Sequence, residues 1–181
     1  MALVGHIAPD FDMPAVKPDG QVGRVSLSQQ RGRWLVLFFY PHDFTFVCPT
    51  EITAFSQAYD QFQALGADVV GVSTDSPYVH QAWLKQDPAA GGLGSLEFPL
   101  ASDWTHRVAQ TYGVYYAQEG AAYRGLFVIN PDGQVEYEVV HNLNVGRSVE
   151  EVLRVLQALQ AGGLCPVNWQ PGAPLLTSSA S

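Results

Sequence analysis

The stretch "FFYPHDFTFVCPTEI", Phe38 to Ile52, joins the end of an apolar run to the start of a helical pattern. The run itself, "WLVLFFY" (Trp34–Tyr40), is rich in Val, Phe and Tyr and is ended by Pro41, which is typical of a buried central strand. One of the two cysteines of the chain, Cys48, stands at the junction. The sequence therefore predicts a thiol between the end of a strand and the first turn of a helix.

The residues that follow predict a strand–helix–strand unit. Apolar side chains recur at steps of three and four from Ile52 to Leu65, and Gly66 follows as a stop signal, so we predict one helix here. The next segment, "ADVVGVSTD" (Ala67–Asp75), is typical of a second buried strand. A strand, a helix and a strand in this order predict two parallel strands joined by a right-handed crossover.

Shorter patterns of the same kind fill the rest of the chain. They predict short strands near Phe11 and over Val22–Leu27, a helix from Ser76 to about Gln86, a strand in "EFPLAS", a helix over Ser102–Tyr112, a hairpin of "GLFVIN" and "QVEYEVV", and a helix opened by the S-x-x-E pattern of Ser148 and Glu151. Together they predict an α/β fold of the thioredoxin type, with a mixed central sheet flanked by helices. The composition after Trp169 predicts a loose tail.

Charge and hydropathy exclude two classes of partner. The formal net charge is -8, and only two of the nine basic residues are lysines, so neither nucleic acid nor an anionic membrane surface is an expected partner. The N-terminus "MALVGHIAPDF" lacks the features of a signal peptide, and the longest apolar run is too short to span a bilayer. These features predict a cytoplasmic protein whose thiols rest reduced.

Position alone leaves two interpretations of Cys48 open. The exposed N–H groups and the dipole at a helix N-terminus favour a thiolate, which is the nucleophilic form of cysteine. Alternatively, Cys48 is a small buried apolar residue, because free cysteine is among the most buried residue types. The stretch contains no C-x-x-C pattern, which excludes the usual dithiol reductase chemistry within it.

A family resemblance changes this balance. "PHDFTFVCPTEI" resembles the peroxiredoxin signature P-x-x-x-T-x-x-C, with Pro41, Thr45 and Cys48 in register. The resemblance extends along nearly the whole chain, through "APDF" (8–11), "GVSTDS" (71–76), "GGLG" (91–94), "RGLFVINPDG" (124–133), "VGRSVEEVLR" (145–154) and "CPVNW" (165–169). The chain is identified as a member of the typical two-cysteine subgroup, which includes thioredoxin peroxidases and the small subunit of alkyl hydroperoxide reductase.

The resemblance implies a thiol-dependent peroxidase acting on hydrogen peroxide and organic hydroperoxides. Cys48 would attack the peroxide and become a sulfenic acid. Arg124 would favour the thiolate and hydrogen-bond the peroxide, whereas by itself it would be taken as a solvated surface charge. Thr45 would orient the peroxide, or alternatively satisfy a turn backbone. Pro41 would shield the sulfur, a role that is compatible with simply ending the strand.

The resemblance also assigns three supporting or later roles. Glu51 and Arg147 would form a polar pair that holds the active-site arginine, although Glu51 alone would also suit the first turn of a helix. Cys165 would be the resolving cysteine, forming a disulfide with Cys48 of the other subunit of an antiparallel homodimer. A structural thiol or an intrachain disulfide is the alternative for Cys165.

The resemblance also carries expectations about domain organisation and partners. The resemblance implies a thioredoxin-like peroxidase domain over residues 1–164 and a C-terminal segment over 165–181, with the resolving cysteine and a flexible tail. It implies a thioredoxin-like or dedicated flavoprotein reductant, a homodimer with a decamer as a further assembly, and no metal or other cofactor. The tail lacks the Tyr-Phe pair of easily inactivated members, which predicts fast resolution. The alternatives are a peroxide-responsive holdase or signalling relay, and a thioredoxin-like binding module with an inert Cys48.

Overall fold

The computed structural model of the chain describes residues 2–177. The elements found there, in chain order, are β1 (Asp12–Val16), β2 (Val22–Ser26), β3 (Trp34–Phe39), α1 (Cys48–Gln57), α2 (Tyr59–Ala64), β4 (Ala67–Ser73), α3 (Pro77–Lys85), β5 (Leu100–Ser102), α4 (Arg107–Thr111), β6 (Tyr115–Tyr116), β7 (Ala121–Ala122), β8 (Arg124–Ile129), β9 (Val135–His141) and α5 (Val149–Ala161). Within these residues, seven strands form one sheet in the order β2-β1-β5-β4-β3-β8-β9.

The sheet is mixed, as predicted. Strands β3, β4 and β5 run parallel, whereas β1 and β8 run antiparallel to the strands beside them. The predicted parallel pairing across the strand–helix–strand unit is therefore confirmed, as is the α/β fold with helices flanking a mixed sheet. None of the helices in residues 2–177 has the length and apolar character that crossing a membrane requires.

Strand β3 forms the centre of the core and ends directly before the loop that leads to Cys48. Its side chains alternate between the two faces of the sheet, because successive residues of a strand point in opposite directions. On one face the Phe38 ring stacks on Phe55 of α1 at 4.6 Å, and on the other Phe39 meets Phe127 edge-on at 6.0 Å. Burial on both faces explains why this run is continuously apolar.

Two helices differ from the sequence-based prediction. The single helix expected from Ile52 to Leu65 is divided at Ala58, whose ψ of 2° interrupts the helical hydrogen-bond ladder. The helix expected over Ser102–Tyr112 is only α4, because His106 has a left-handed φ of 63° and the Asp103 carboxylate accepts the N–H groups of the first turn.

The N-terminus of α5 is capped as the sequence predicts. The Ser148 hydroxyl accepts the Glu151 N–H at 3.2 Å. The Glu151 carboxylate, however, binds the Arg154 guanidinium, so the reciprocal half of the capping box is replaced by an ion pair. Beyond α5 the chain folds back, and Leu176 forms an isolated β-bridge with Leu164. The tail predicted to be loose is therefore hydrogen-bonded up to this point, and residues 178–181 lie outside the described range.

Candidate active site

Cys48 is the first residue of α1 and follows the loop that leaves β3. Pro49 occupies the next position, where the missing N–H of a proline leaves no helical hydrogen bond unmade. The Cys48 side chain is only 1% exposed. The predicted position of the thiol, between a strand end and a helix N-terminus, is thus confirmed.

Arg124, the first residue of β8, contacts the Cys48 sulfur. Its Nη1 donates hydrogen bonds to Cys48 Sγ at 3.4 Å and to Glu51 Oε2 at 2.6 Å. Its Nε donates to the Leu143 carbonyl at 2.7 Å, which fixes the plane of the guanidinium. Arg124 is 3% exposed, so the alternative of a solvated surface charge is wrong.

Glu51 and Arg147 form a buried ion pair beside this contact. Glu51 Oε1 accepts the backbone N–H and the Nε of Arg147, both at 2.8 Å, and Oε2 accepts Arg147 Nη2 at 3.0 Å as well as Arg124 Nη1. Arg147 Nη1 donates to the carbonyl oxygens of Phe39 and Gly125, at the edges of β3 and β8. One carboxylate therefore receives four hydrogen bonds from two arginines.

The charges of this cluster are unequal. Two guanidinium groups face one carboxylate, which leaves one positive charge beside the Cys48 sulfur. Burial raises the pKa of the Glu51 carboxyl, but the hydrogen bonds and charge of Arg147, with the charge of Arg124, outweigh burial and hold this pKa below its usual value. Because a buried net charge is costly, a thiolate at Cys48 would complete the neutralisation of the cluster.

A cavity of about 210 Å³ opens above Cys48 and Arg124. Pro41 and Thr45 line it, as do three residues that lie outside every motif quoted above: Glu119, Leu143 and Asn144. The Thr45 hydroxyl donates its proton to the His42 carbonyl at 2.9 Å, which is the turn contact considered as the alternative for this residue. The lone pairs of the same hydroxyl are free to accept a hydrogen bond from a ligand in the cavity.

Cys165 lies apart from this cluster within one chain. It follows α5, is half-buried, and its thiol donates to the Ala158 carbonyl at 3.6 Å. Helix α5 begins at Val149, two residues after Arg147, and Ala158 lies about 14 Å further along its axis at 1.5 Å per residue. Both cysteines are free thiols in this structure, and they line different cavities.

A second buried polar group holds the loop before Cys48. Asp43 accepts the Tyr40 hydroxyl at 2.9 Å and contacts His80 Nδ1 at 2.7 Å, while His80 Nε2 contacts the Ala101 carbonyl at 3.2 Å. A carbonyl oxygen only accepts, so Nε2 carries a proton, and the contact between Nδ1 and Asp43 needs one proton more. Because Asp43 is buried beside these partners, its carboxyl keeps its proton to a higher pH in the folded protein than in the unfolded chain.

This proton predicts a pH-dependent stability. Burial raises the pKa of Asp43, outweighing the opposing hydrogen bond and charge of His80. The stabilisation that comes from this proton is therefore fully present below the ordinary pKa of aspartate, and it is lost as pH rises through the raised pKa of Asp43. We therefore expect the free energy of unfolding of the wild type, measured with urea, to fall by up to about 1.4 kcal/mol per pH unit as pH rises. This slope should be absent in Asp43→Asn.

The asparagine amide preserves the contacts with His80 and Tyr40 without a titrating proton, which makes Asp43→Asn a sharp comparison. Asp60→Asn, at an exposed carboxylate of α2, serves as the matched control and should keep the wild-type slope. Equal slopes for wild type and Asp43→Asn between about pH 4 and pH 8 would contradict a proton retained by Asp43.

In the described residues no three His, Cys, Asp or Glu side chains are grouped as a metal site would require. The arrangement instead directs one permanently charged hydrogen-bond donor, Arg124 Nη1, at the buried Cys48 sulfur. Such an arrangement can hold a nucleophilic thiolate and stabilise negative charge that develops on an atom bound in the cavity.

Comparisons with known proteins agree with this chemistry. The AhpC/TSA family profile matches residues 4–138. The putative peroxiredoxin YkuU of Bacillus subtilis is 54% identical over 96% of this chain and 98% of its own length, and peroxiredoxin-1 of Gekko japonicus is 47% identical over 95% and 88%. The crystal structure of reduced Plasmodium vivax 2-Cys peroxiredoxin superposes with a TM-score of 0.94 at 40% identity, covering 96% of this chain and 92% of that one. Together with the buried contact between Cys48 and Arg124, these matches show that the chain belongs to the AhpC/TSA family and, within it, to the two-cysteine peroxiredoxins.

Proposed function

We propose that this protein is a thiol-dependent peroxidase that reduces hydrogen peroxide and organic hydroperoxides at Cys48. The observation that carries the proposal is the hydrogen bond from Arg124 Nη1 to the buried Cys48 sulfur, at the edge of a cavity and beside an unbalanced positive charge. The alternative of an inert, packed cysteine does not explain why a permanently charged donor is buried against it.

The first step follows from this geometry. The Cys48 thiolate attacks one peroxide oxygen, the S–O bond forms as the O–O bond breaks, and the other oxygen leaves as hydroxide or alkoxide, which takes a proton to become water or an alcohol. Arg124 donates to the oxygen on which charge develops. The Thr45 hydroxyl accepts the peroxide O–H, and Pro41, which has no N–H, forms an inert wall of the cavity.

The second step regenerates the sulfur. The Cys48 sulfenic acid condenses with Cys165 of the partner subunit of a homodimer, because Cys165 of the same chain is held at the far part of α5. A thioredoxin-like protein or a dedicated flavoprotein then reduces the disulfide. We assign the peroxide chemistry to a domain of residues 1–164 and the resolving step to the segment 165–181. Assembly of dimers into a decamer is compatible with this cycle.

The wild-type protein provides the direct test. Mixed with one equivalent of hydrogen peroxide, it should lose two thiols per chain and migrate as a disulfide-linked dimer on a non-reducing gel. Peptide mapping should then recover Cys48 joined to Cys165. A protein that stays monomeric on the gel after complete thiol loss would contradict resolution between subunits, and one that consumes no peroxide would contradict the activity itself.

The rim of the cavity predicts which hydroperoxides react fastest. With a thiolate present, the buried cluster is neutral, so the exposed Glu119 carboxylate is the unbalanced charge of the cavity lining. Phe46, 93% exposed, adds an apolar surface beside it. Like charges repel, so we expect Glu119→Gln to raise the rate with an anionic fatty-acid hydroperoxide about two- to fivefold at low salt.

The neutral tert-butyl hydroperoxide should react with this variant at the wild-type rate. Stopped-flow measurements at low and high ionic strength would check both substrates, and Glu97→Gln, at another exposed carboxylate outside the cavity lining, is the matched control. An unchanged rate with the anionic substrate at low salt would show that Glu119 does not select by charge.

A further inference from the structure

The chain after α5 forms a compact unit, residues 164–177, which we call the C-terminal clip. The Leu176 N–H donates to the Leu164 carbonyl at 2.9 Å, so the two ends of the clip meet. Between them Trp169 is 6% exposed, and its indole N–H donates to the Ala173 carbonyl at 3.0 Å. The clip is thus closed around a buried tryptophan, and Cys165 is part of it.

One arginine fastens the clip to α5. Arg154 Nη1 donates to the Trp169 carbonyl at 3.0 Å. The guanidinium is oriented by Glu151, whose two carboxylate oxygens accept Arg154 Nε at 2.6 Å and Nη2 at 2.8 Å. A bidentate pair of this kind fixes both the position and the plane of the guanidinium. Glu151, Arg154 and Trp169 therefore form a continuous connection from helix to clip.

The same arginine lies beside the resolving thiol. Arg154, Ala158 and Cys165 line one cavity of about 580 Å³, which is separate from the cavity above Cys48. Apart from the weak contact of its thiol with the Ala158 carbonyl, Cys165 depends on the clip for its position. Any movement of Cys165 toward a sulfenic acid must detach this part of the clip from α5.

We propose that Arg154 is a positioning residue that controls how readily Cys165 leaves α5 to react. This inference rests on the proposed function. In the step concerned, the Cys165 sulfur attacks the Cys48 sulfur, the S–S bond forms, the S–O bond of the sulfenic acid breaks, and the hydroxyl leaves as water with the Cys165 thiol proton. A second peroxide competes for the same sulfenic acid and converts it to a sulfinic acid.

Removing the Arg154 contact lowers the cost of detaching the clip, so Arg154→Gln should form the disulfide about tenfold faster than the wild type, as expected for loss of one charged hydrogen bond. Its sulfinic acid yield at a given peroxide concentration should fall in proportion. The rate of the first step, attack of Cys48 on peroxide, should be unchanged. Arg154→Lys, which keeps the charge and a donor, should restore part of the slower rate.

Rapid-mixing fluorescence separates the two steps, and hydrogen exchange of residues 164–177 in the reduced protein reports opening of the clip. Arg107→Gln, at an exposed arginine of α4, is the matched control. An unchanged or slower disulfide step in Arg154→Gln, or unchanged exchange in the clip, would overturn the proposal. A wild type in which peroxide oxidises Cys48 without any Cys48–Cys165 disulfide would overturn the proposed function instead.

Discussion

Replacing Cys48 by serine is expected to lower the peroxidase rate constant by about 10³-fold or more, to the level of the uncatalysed reaction. A serine hydroxyl is not ionised near neutral pH, whereas the proposed mechanism needs a thiolate at this position. The fold should be retained, because the hydroxyl is close in size to the thiol and can accept the hydrogen bond from Arg124. Initial rates of hydrogen peroxide loss with an excess of reductant would check this.

Cys165→Ser is the matched control, because it makes the same replacement of a sulfur by an oxygen at the second cysteine. That variant should still consume one equivalent of peroxide at the wild-type rate, as Cys48 becomes a sulfenic acid. A second equivalent should then be consumed more slowly, as the sulfenic acid becomes a sulfinic acid that mass spectra detect. If Cys48→Ser kept turning over peroxide, the nucleophile would be elsewhere. If the wild type suppressed aggregation of a client protein, and this suppression persisted or increased after oxidation by peroxide, a holdase output would join the peroxidase activity.

The site was predictable from sequence where its chemistry is local. Pro41, Thr45 and Cys48 fall within eight residues, so a short motif contains them. Arg124 and Glu51 are 73 residues apart and Arg147 and Glu51 are 96 apart, so these groups come together only in the folded chain, where β8 pairs with β3. Periodicity does not report such contacts, so these positions depended on family resemblance.

The backbone groups that complete the site were missed for a related reason. The Leu143 carbonyl fixes Arg124, yet any residue type supplies a carbonyl, so no side-chain pattern marks it. The short α4 was overpredicted because its apolar residues fit a helical period while Asp103 and the left-handed His106 delay the start. In both places, hydrogen bonds between residues of different segments determine the local structure, and the local sequence pattern does not predict them.

Glu51→Gln is expected to lower both stability and activity, because the carboxylate has no equivalent replacement. The two oxygens of Glu51 accept four hydrogen bonds, all from arginine N–H groups. Glutamine offers one acceptor oxygen, and its NH₂ group would face donors, so two guanidinium contacts would be lost. Breaking one partner of a buried ion pair costs about 3–5 kcal/mol in the free energy of unfolding.

The peroxidase rate constant should fall by about 10²-fold in the same variant, since Arg124 loses the partner that directs its Nη1 at the Cys48 sulfur. Urea unfolding and stopped-flow peroxide kinetics would measure the two effects. Glu150→Gln, at an exposed carboxylate in the first turn of α5, should change neither. A Glu51→Gln protein with wild-type stability would show that the two arginines are held by the carbonyl oxygens of Phe39, Gly125 and Leu143 alone.

The pH dependence of this effect separates charge from packing. The pKa of Glu51 is lowered because the arginines outweigh the effect of burial, so its contribution to stability is present above the ordinary glutamate pKa and is lost as pH falls through the lowered value. The stability difference between wild type and Glu51→Gln should therefore shrink on acidification. A merely steric defect would leave that difference constant with pH. The proton of Asp43 beside His80 acts in the opposite direction, because its contribution to stability is lost as pH rises. The double variant Glu51→Gln, Asp43→Asn should therefore lose both pH dependences of the free energy of unfolding, one with each substitution.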